Sequence, residues 1–260
     1  MRLIFLGTGG GRLVLQRQLR RFGGLYVEVG KTRIYIDPGP GALLTARQAK
    51  VQLEQVDVLV VTHDHLDHVN DASALIEAMT SGGKYRRGLL VSNTCVLRGY
   101  EQFEKYIPSY YQQNVKEIVE FPKSRVFQVK DVKAELVGLK HDEPLTFGLK
   151  LQTPDGLLGI ISDTEYFPEL AESYQECELL VVNCLSNYGR RSPGHMNLED
   201  LEKLLLHVEA RQVFVTHLGF TIIRDNIPAL EKKLRRRTGK QVVFARDFLQ
   251  VVYPGLEHYF

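Results

Sequence analysis

Along the chain, apolar and polar positions fall into two rhythms, one of strands and one of helices. Val27 to Val29 and Arg33 to Asp37 alternate and turn around Gly30-Lys31 as a hairpin does, and Leu3 to Leu6 is a short apolar strand ending in a glycine loop. Val58 to Val61, Leu89 to Val91, Leu157 to Ile161, Leu179 to Val182 and Val213 to Val215 are continuous apolar runs, the pattern of strands covered on both faces. Helices must supply the cover. The helical segments are Asp71 to Met79, Asn197 to Val208 with Asn197 as N-cap, and Ile227 to Arg237, which begins at Pro228 and stops at Gly239. Residues 115–151 read as short strands. Residues 98–114 are the least regular, with Tyr100, Phe103, Tyr106, Tyr110 and Tyr111 crowded around Pro108, and they fit a lid or core packing equally. The expected architecture is of mixed α/β class, one domain over residues 1–260 with sheets sandwiched between helical layers.

Composition narrows the field of partners. The 260 residues are 44% hydrophobic and 25% charged, which is ordinary for a globular protein, and the formal charge is only +2. That balance gives no general pull towards nucleic acid or membrane. The basic run Lys232 to Arg237 falls within a helix and reads as a solvated face. Leu3 to Leu6 is too short for a signal-peptide core and no run is long enough to span a membrane, so a cytoplasmic location is expected. Cys95, Cys177 and Cys184 are odd in number and lack a C-x-x-C pair, so they read as buried small residues.

The chemistry is concentrated after the run Val58 to Val61, where Thr62-His63-Asp64-His65-Leu66-Asp67-His68 sits between a strand and a helix. Such strand ends are where sites form in sheets of this kind. In an extended segment His63, His65 and Asp67 would share a face, with His68 turning in as the helix begins. A chance H-x-H-x-D-H in a chain of this composition is on the order of a few in ten thousand. Three imidazoles and a carboxylate so close together would repel when charged, and a metal ion resolves that conflict. Asp163 and His217 also follow apolar strands, and His141 follows Val137-Gly138-Leu139 in the same manner. A carboxylate such as Asp163 can bridge two cations. With His195, six of the eight histidines are accounted for, while His207 on a helix face and His258 at the tail carry no assigned role.

With these residues in view, the chain resembles the metallo-β-lactamase superfamily, and more closely its PhnP-like and RNase Z-like phosphodiesterase branch. Phe5-Leu6-Gly7-Thr8-Gly9-Gly10, Ile36-Asp37-Pro38-Gly39, the His63 to His68 segment, Ser162-Asp163-Thr164 and Thr216-His217 occur in the family's order across nearly the whole chain. The resemblance implies an αββα sandwich of two mixed β-sheets flanked by helices. It places His63, His65 and His141 on one metal and Asp67, His68 and His217 on the other, with Asp163 bridging. Two divalent ions per chain are implied, Zn2+ as first choice and Mn2+ or Fe as alternatives. Asp37 in such families is a carboxylate that orients a metal-bound histidine. The stretch Pro144 to Gly148 resembles the segment after the third-motif histidine in RNase Z and PhnP-like members.

Two cations on the order of 3.5–4 Å apart activate a bridging water and clamp the attacking and leaving oxygens, so hydrolysis is the natural chemistry. Related redox diiron proteins usually carry Glu where this chain has His65. His195, in a loop before a helix, resembles the histidine that phosphodiesterase members keep near the leaving group, and it is the expected general acid. Asp67 is counted with it as catalytic as well as a ligand. Arg190 and Arg191 are either phosphate contacts or solvated loop residues, and Thr164 and Asn183 are candidates to line the site. The expected function is a phosphodiesterase acting on a small or nucleotide-like phosphodiester, with a possible homodimer left open. A tRNA 3′-end ribonuclease is the runner-up, weakened because only 21 residues separate His141 from Asp163, too few for that family's usual arm. A lactonase or thioesterase of the same fold ranks next, and a catalytically silent metabolite-binding member comes last.

Overall fold

A computed structural model describes residues 1–101, 103–254 and 257–258, the last pair and Phe103 through their backbone. The chain forms strands β1 (Arg2–Gly7), β2 (Phe22–Val29), β3 (Thr32–Ile36), β4 (Val58–Val61), β5 (Leu89–Asn93), β6 (Gly99–Tyr100), β7 (Phe103–Glu104), β8 (Glu117–Phe121), β9 (Val126–Val129), β10 (Val132–Gly138), β11 (Phe147–Thr153), β12 (Gly156–Ile161), β13 (Leu179–Asn183), β14 (Gln212–Thr216), β15 (Gln241–Phe244), β16 (Gln250–Val252) and β17 (Glu257–His258). β6 and β7 pair as a separate two-stranded ribbon; of the two large sheets, one has the order β17-β16-β1-β2-β3-β4-β5-β8 and the other β15-β14-β13-β12-β11-β10-β9. Both are mixed. In the first, β3, β4, β5 and β8 run parallel; in the second, β12 to β15 do.

The continuous apolar runs have the cause expected of them. Val58 and Val60 of β4 face the core between the sheets, while Leu59 and Val61 face a helical layer. Likewise Leu179 and Val181 of β13 point between the sheets, and Leu180 and Val182 point outwards. Each such Val or Leu stabilises the fold by about 1.5–3 kcal/mol on burial. Phe5 and Phe214 meet across the sandwich with ring centroids 5.6 Å apart. Helices Ala42–Gln48 and Ala72–Thr80 cover the first sheet, and Pro168–Tyr174, Leu198–Leu206 and Ile227–Thr238 cover the second. The layers are thus helix, sheet, sheet, helix, as expected.

Local signals hold at the helix ends. Asn197 caps its helix by accepting from the Asp200 N–H at 3.0 Å, and Gly239 closes the last long helix with φ 72°. That Asn197-capped helix ends at Leu206, so His207 lies past it as an exposed cap residue rather than on its face. The His258 side chain lies outside the described residues. All three cysteines are buried and free. Between 98 and 114, Tyr106 and Tyr111 pack on the core while Tyr100 and Tyr110 are exposed. Among the described residues no helix is long and apolar enough to cross a membrane.

Edge strand β15 is closed on its outer side. The Arg235 Nε–H donates to the Val242 carbonyl at 2.8 Å, and the Phe244 N–H donates to Glu231 Oε1 at 2.8 Å. Both partners come from helix Ile227–Thr238.

Candidate metal centre

The C-terminal ends of β3, β4, β12, β13 and β14 converge at one edge of the sandwich. Asp37, Thr62-His63, Asp163, Asn183 and His217 all follow or end these strands. The loops after them therefore meet without any strand bending.

After β4 the chain bends at His63, and the short helix Leu66–Val69 follows at once, with His65, itself extended, as its N-cap. Because the helix begins before Asp67, that residue does not share a face with His63 and His65 as simple alternation suggests. The turn swings Asp67 and His68 together to a second group. The donor atoms of His63, His65, His141 and Asp163 lie within 4.8 Å of one another, and so do those of Asp67, His68 and His217. Asp163 Oδ2 stands between the groups, 3.8 Å from His63 Nε2, 3.4 Å from His68 Nε2 and 3.2 Å from His217 Nε2. Its other oxygen accepts from Asn183 Nδ2 at 2.8 Å, which fixes the carboxylate plane.

The surroundings dictate how each ring faces. Asp37 accepts the Thr62 N–H and the Thr62 hydroxyl, both at 2.8 Å, and the His68 Nδ1–H at 3.0 Å. Having given its only hydrogen to Asp37, the Thr62 hydroxyl accepts from Ser162 at 2.8 Å and from His63 Nδ1–H at 3.0 Å. Both rings therefore turn Nε2 inwards. The His141 Nδ1–H donates to the Gly194 carbonyl at 2.7 Å, leaving its Nε2 3.2 Å from His65 Nδ1. A side chain at residue 194 would sit 2.7 Å from the His141 ring, so a glycine is needed there. Gly10 is equally constrained, since a Cβ would lie 2.4 Å from His217 Nδ1, and the Gly11 N–H reaches Asp67 Oδ2 at 3.2 Å. Asp37 and His217 hold left-handed backbone, φ 52° and 56°, the kind of strain that collects at working sites.

Charge in the cluster is polarised. Burial, then the neighbouring His68, pushes His63 well below the ordinary imidazole range. Burial opposes charge on His68 too, but Asp163 and Asp67 outweigh it and push that ring well above the range. Against the same burial penalty, His217 and His68 keep Asp163 well below the carboxylate range. Nε2 of His63 and of His68 is buried with no hydrogen-bond partner. Ionised carboxylates beside inward imidazole nitrogens that lack partners are the donor set a divalent cation requires, the cation taking the place of a ring proton, so the residues fit such an ion.

His195 joins the cluster from the loop before helix Leu198–Leu206. Its Nδ1 is 2.8 Å from the Pro193 carbonyl and its Nε2 3.2 Å from Asp163 Oδ2. Burial disfavours its charge, but the hydrogen bond to Asp163 prevails and its pKa is pushed up to about 8. Every predicted donor is thus brought together. Arg191 instead pairs with Asp200 at 3.3 Å, Arg190 is hydrogen-bonded through its backbone to Asn187 and Asn197, and the Thr164 hydroxyl accepts the Lys140 N–H. Asp142, whose Oδ1 lies 2.8 Å from His141 Nε2, and Glu165, which holds the Gly194 N–H at 2.9 Å, carry no signal in the sequence. Thr62 and Ser162 belong to recognisable motifs, but only the structure gives their hydroxyls a role. In helix Ile227–Thr238, Lys232, Arg235, Arg236 and Arg237 are exposed as a solvated face requires, whereas Lys233 is half-buried over Tyr188.

Comparison with known proteins bears on this arrangement. The model of the beta-lactamase superfamily domain matches residues 32–218. An uncharacterised protein of Methanocaldococcus jannaschii is 28% identical over 251 residues, covering 96% of this chain and 94% of that one. The metallo-beta-lactamase fold protein YhfI from Bacillus subtilis superposes with TM-score 0.78 at 16% identity, over 96% of this chain and 98% of that one. A diphosphatase from the PhnP family superposes with TM-score 0.70 at 17% identity, over 99% of both chains. The two superpositions speak for the fold, and the matched span carries β3 through His217 with all seven predicted donors. On that span, the chain belongs to the beta-lactamase superfamily domain family.

Proposed function

We propose that this chain is a metal-dependent hydrolase with a dinuclear centre, and that it is a phosphodiesterase acting on a small or nucleotide-like phosphodiester. The position of Asp163 Oδ2 between two donor groups, with His195 Nε2 on the same oxygen, carries this reading. His63, His65 and His141 would hold one divalent cation, Asp67, His68 and His217 the other, and Asp163 both. Zn2+ is the first choice, with Mn2+ or Fe accommodated by the same donors. Bound there, the cations supply Lewis acidity and a water of lowered pKa.

The chain's own residues do the remaining work. Asp37 and Thr62 hold His68 and His63 with Nε2 facing in, so binding needs no ring reorientation. The Pro193 carbonyl takes up His195 Nδ1, and Nε2 is then the ring atom that faces substrate. From that atom His195 gives a proton to the departing alkoxide. Gly9, Gly10 and Gly11 let the backbone of this loop pack closely beside the cluster, Gly10 against His217 and the Gly11 N–H against Asp67 Oδ2. Such a proton donor suits an alkoxide leaving group, and likeness to a PhnP-family diphosphatase supports phosphate over a carbonyl centre.

The test is metal content together with hydrolysis of bis(p-nitrophenyl) phosphate by the purified protein. Close to two transition-metal ions per chain and metal-dependent release of nitrophenol are expected. A stably folded, metal-free protein without diesterase activity would sink the reading. Turnover of thioesters or lactones but not diesters would replace phosphate with a carbonyl substrate, and accurate cleavage of a tRNA precursor would move the substrate to tRNA 3′ ends.

A further inference from the structure

Beside the glycine loop, on the outer face of the first sheet, lies a cleft of about 670 Å3, within the size range of small-ligand sites. Arg2, Arg21, Gln48, Lys50, Phe248 and Gln250 line it, with three cations and no carboxylate among the lining residues. Arg2 is partly compensated, bonding Gln250 Oε1 at 2.9 Å and Glu28 at 3.4 Å. Lys50 and the Arg21 guanidinium have no carboxylate partner among the described residues. The Arg21 guanidinium instead lies over the Phe248 ring, 5.0 Å from its centroid.

Backbone strain marks the same place. Eight non-glycine residues among those described have positive φ; two, Asp37 and His217, belong to the metal cluster, and two, Lys50 (58°) and Phe248 (67°), line this cleft. Lys50 follows the end of helix Ala42–Gln48, where glycine is the usual residue, and a phenylalanine in this region is a true outlier. Strain of this kind persists where the surroundings enforce it, and it gathers at ligand sites. At Phe248 the neighbouring Asp247 does the enforcing. It accepts the Arg21 N–H at 3.0 Å and the Thr8 N–H and hydroxyl at 2.9 and 2.7 Å, while the Phe248 N–H reaches the Phe5 carbonyl at 2.7 Å.

These bonds tie the cleft to the metal cluster. The Gly9 N–H donates to the Arg21 carbonyl at 3.0 Å, and Gly10 and Gly11 then touch His217 and Asp67. Arg20, between the two places, extends a guanidinium nitrogen to 3.4 Å from Thr8 Oγ1. We propose that the cleft formed by Arg2, Arg21, Lys50 and Phe248 is a second binding site for a phosphate ester. Uncompensated cations give it affinity for the anion, and Phe248 with the side-chain amides gives it a surface for an attached organic group. The choice of phosphate rests on the phosphodiesterase reading, while the cationic cleft does not.

The ester has two sources, a free nucleotide or a phosphate further along a longer substrate, and binding separates them. The metal-loaded protein is titrated with adenosine monophosphate and with a fluorescein-labelled hexathymidylate carrying phosphorothioate linkages. Lys50→Glu and Arg21→Glu are each expected to weaken hexanucleotide binding about tenfold and to lower the salt dependence of log Kd by about one. Lys50→Gly relieves the strained backbone, so it should weaken binding while leaving the melting temperature unchanged or higher. Weakened binding of both probes assigns the cleft to a free nucleotide, and weakened binding of the hexanucleotide alone assigns it to a longer substrate. Equal affinity in wild type, Lys50→Glu and Arg21→Glu overturns the proposal, and so does an equal loss on reversing the distant exposed Lys123. None of these readouts depends on hydrolysis, so failure of the phosphodiesterase reading would show separately.

Discussion

The two sheets contribute to the metal cluster in opposite ways. The first delivers His63, His65, Asp67 and His68 from one turn after β4, braced by Asp37 and Thr62. The second delivers His141, Asp163, His195 and His217 one at a time, from the ends of different strands and a loop. A contiguous turn is placed as one piece by its short helix and the Asp37 brace, whereas each scattered donor depends on a different strand or loop. The first half should therefore act as a unit, and each residue of the second half should be separable.

Asp163 is the exception that links them, and Asp163→Ala should have the largest effect. Elemental analysis should find both ions depleted, and kcat/KM on bis(p-nitrophenyl) phosphate should fall by about 10^3-fold or more. Retention of two ions would mean that Asp163 bridges nothing. His217→Ala should cost one ion of two and about 10^2–10^3-fold in rate; emptying of both positions would show that the second half is not separable. His195→Ala should leave metal content intact and slow an alkyl diester about 10^2-fold, with a loss of only a few-fold for the nitrophenyl diester. Equal losses on both substrates would remove its acid role. In the first half, Asp37→Asn should weaken metal binding about 10–100-fold in a chelator competition, because the His68 ring loses its charged anchor. The smallest effect belongs to Arg191→Ala. Its ion pair with Asp200 is largely exposed on the arginine side, so the melting temperature should move by only about 1–2 °C.

The same contrast governs what the sequence revealed. The His63 to His68 turn announces itself because its donors are neighbours in the chain, and the flanking run Val58 to Val61 identifies the strand that carries it. Asp163 and His217 were readable as polar residues at the ends of apolar runs. Other partners left no such trace. The group that orients His141 is a backbone carbonyl at Gly194, and a carbonyl has no letter in the sequence. Helix Arg12–Arg17 begins at Gly11 without a side-chain cap, so neither capping nor periodicity signalled it. Asp247 sits about 240 residues from the Thr8 loop that it holds, a pairing only tertiary structure creates. The grouping of Asp67 with His68 turned on where a single helical turn starts, finer than periodicity resolves.

Closure of β15 matters for life in a concentrated solution. An open sheet edge is a template on which another chain can add a strand, the first step towards fibres. Here Arg235 and Glu231 already occupy the Val242 carbonyl and the Phe244 N–H, two of the groups such a strand would need. The basic helix thus leaves a strand from another chain fewer free backbone groups to pair with on this edge.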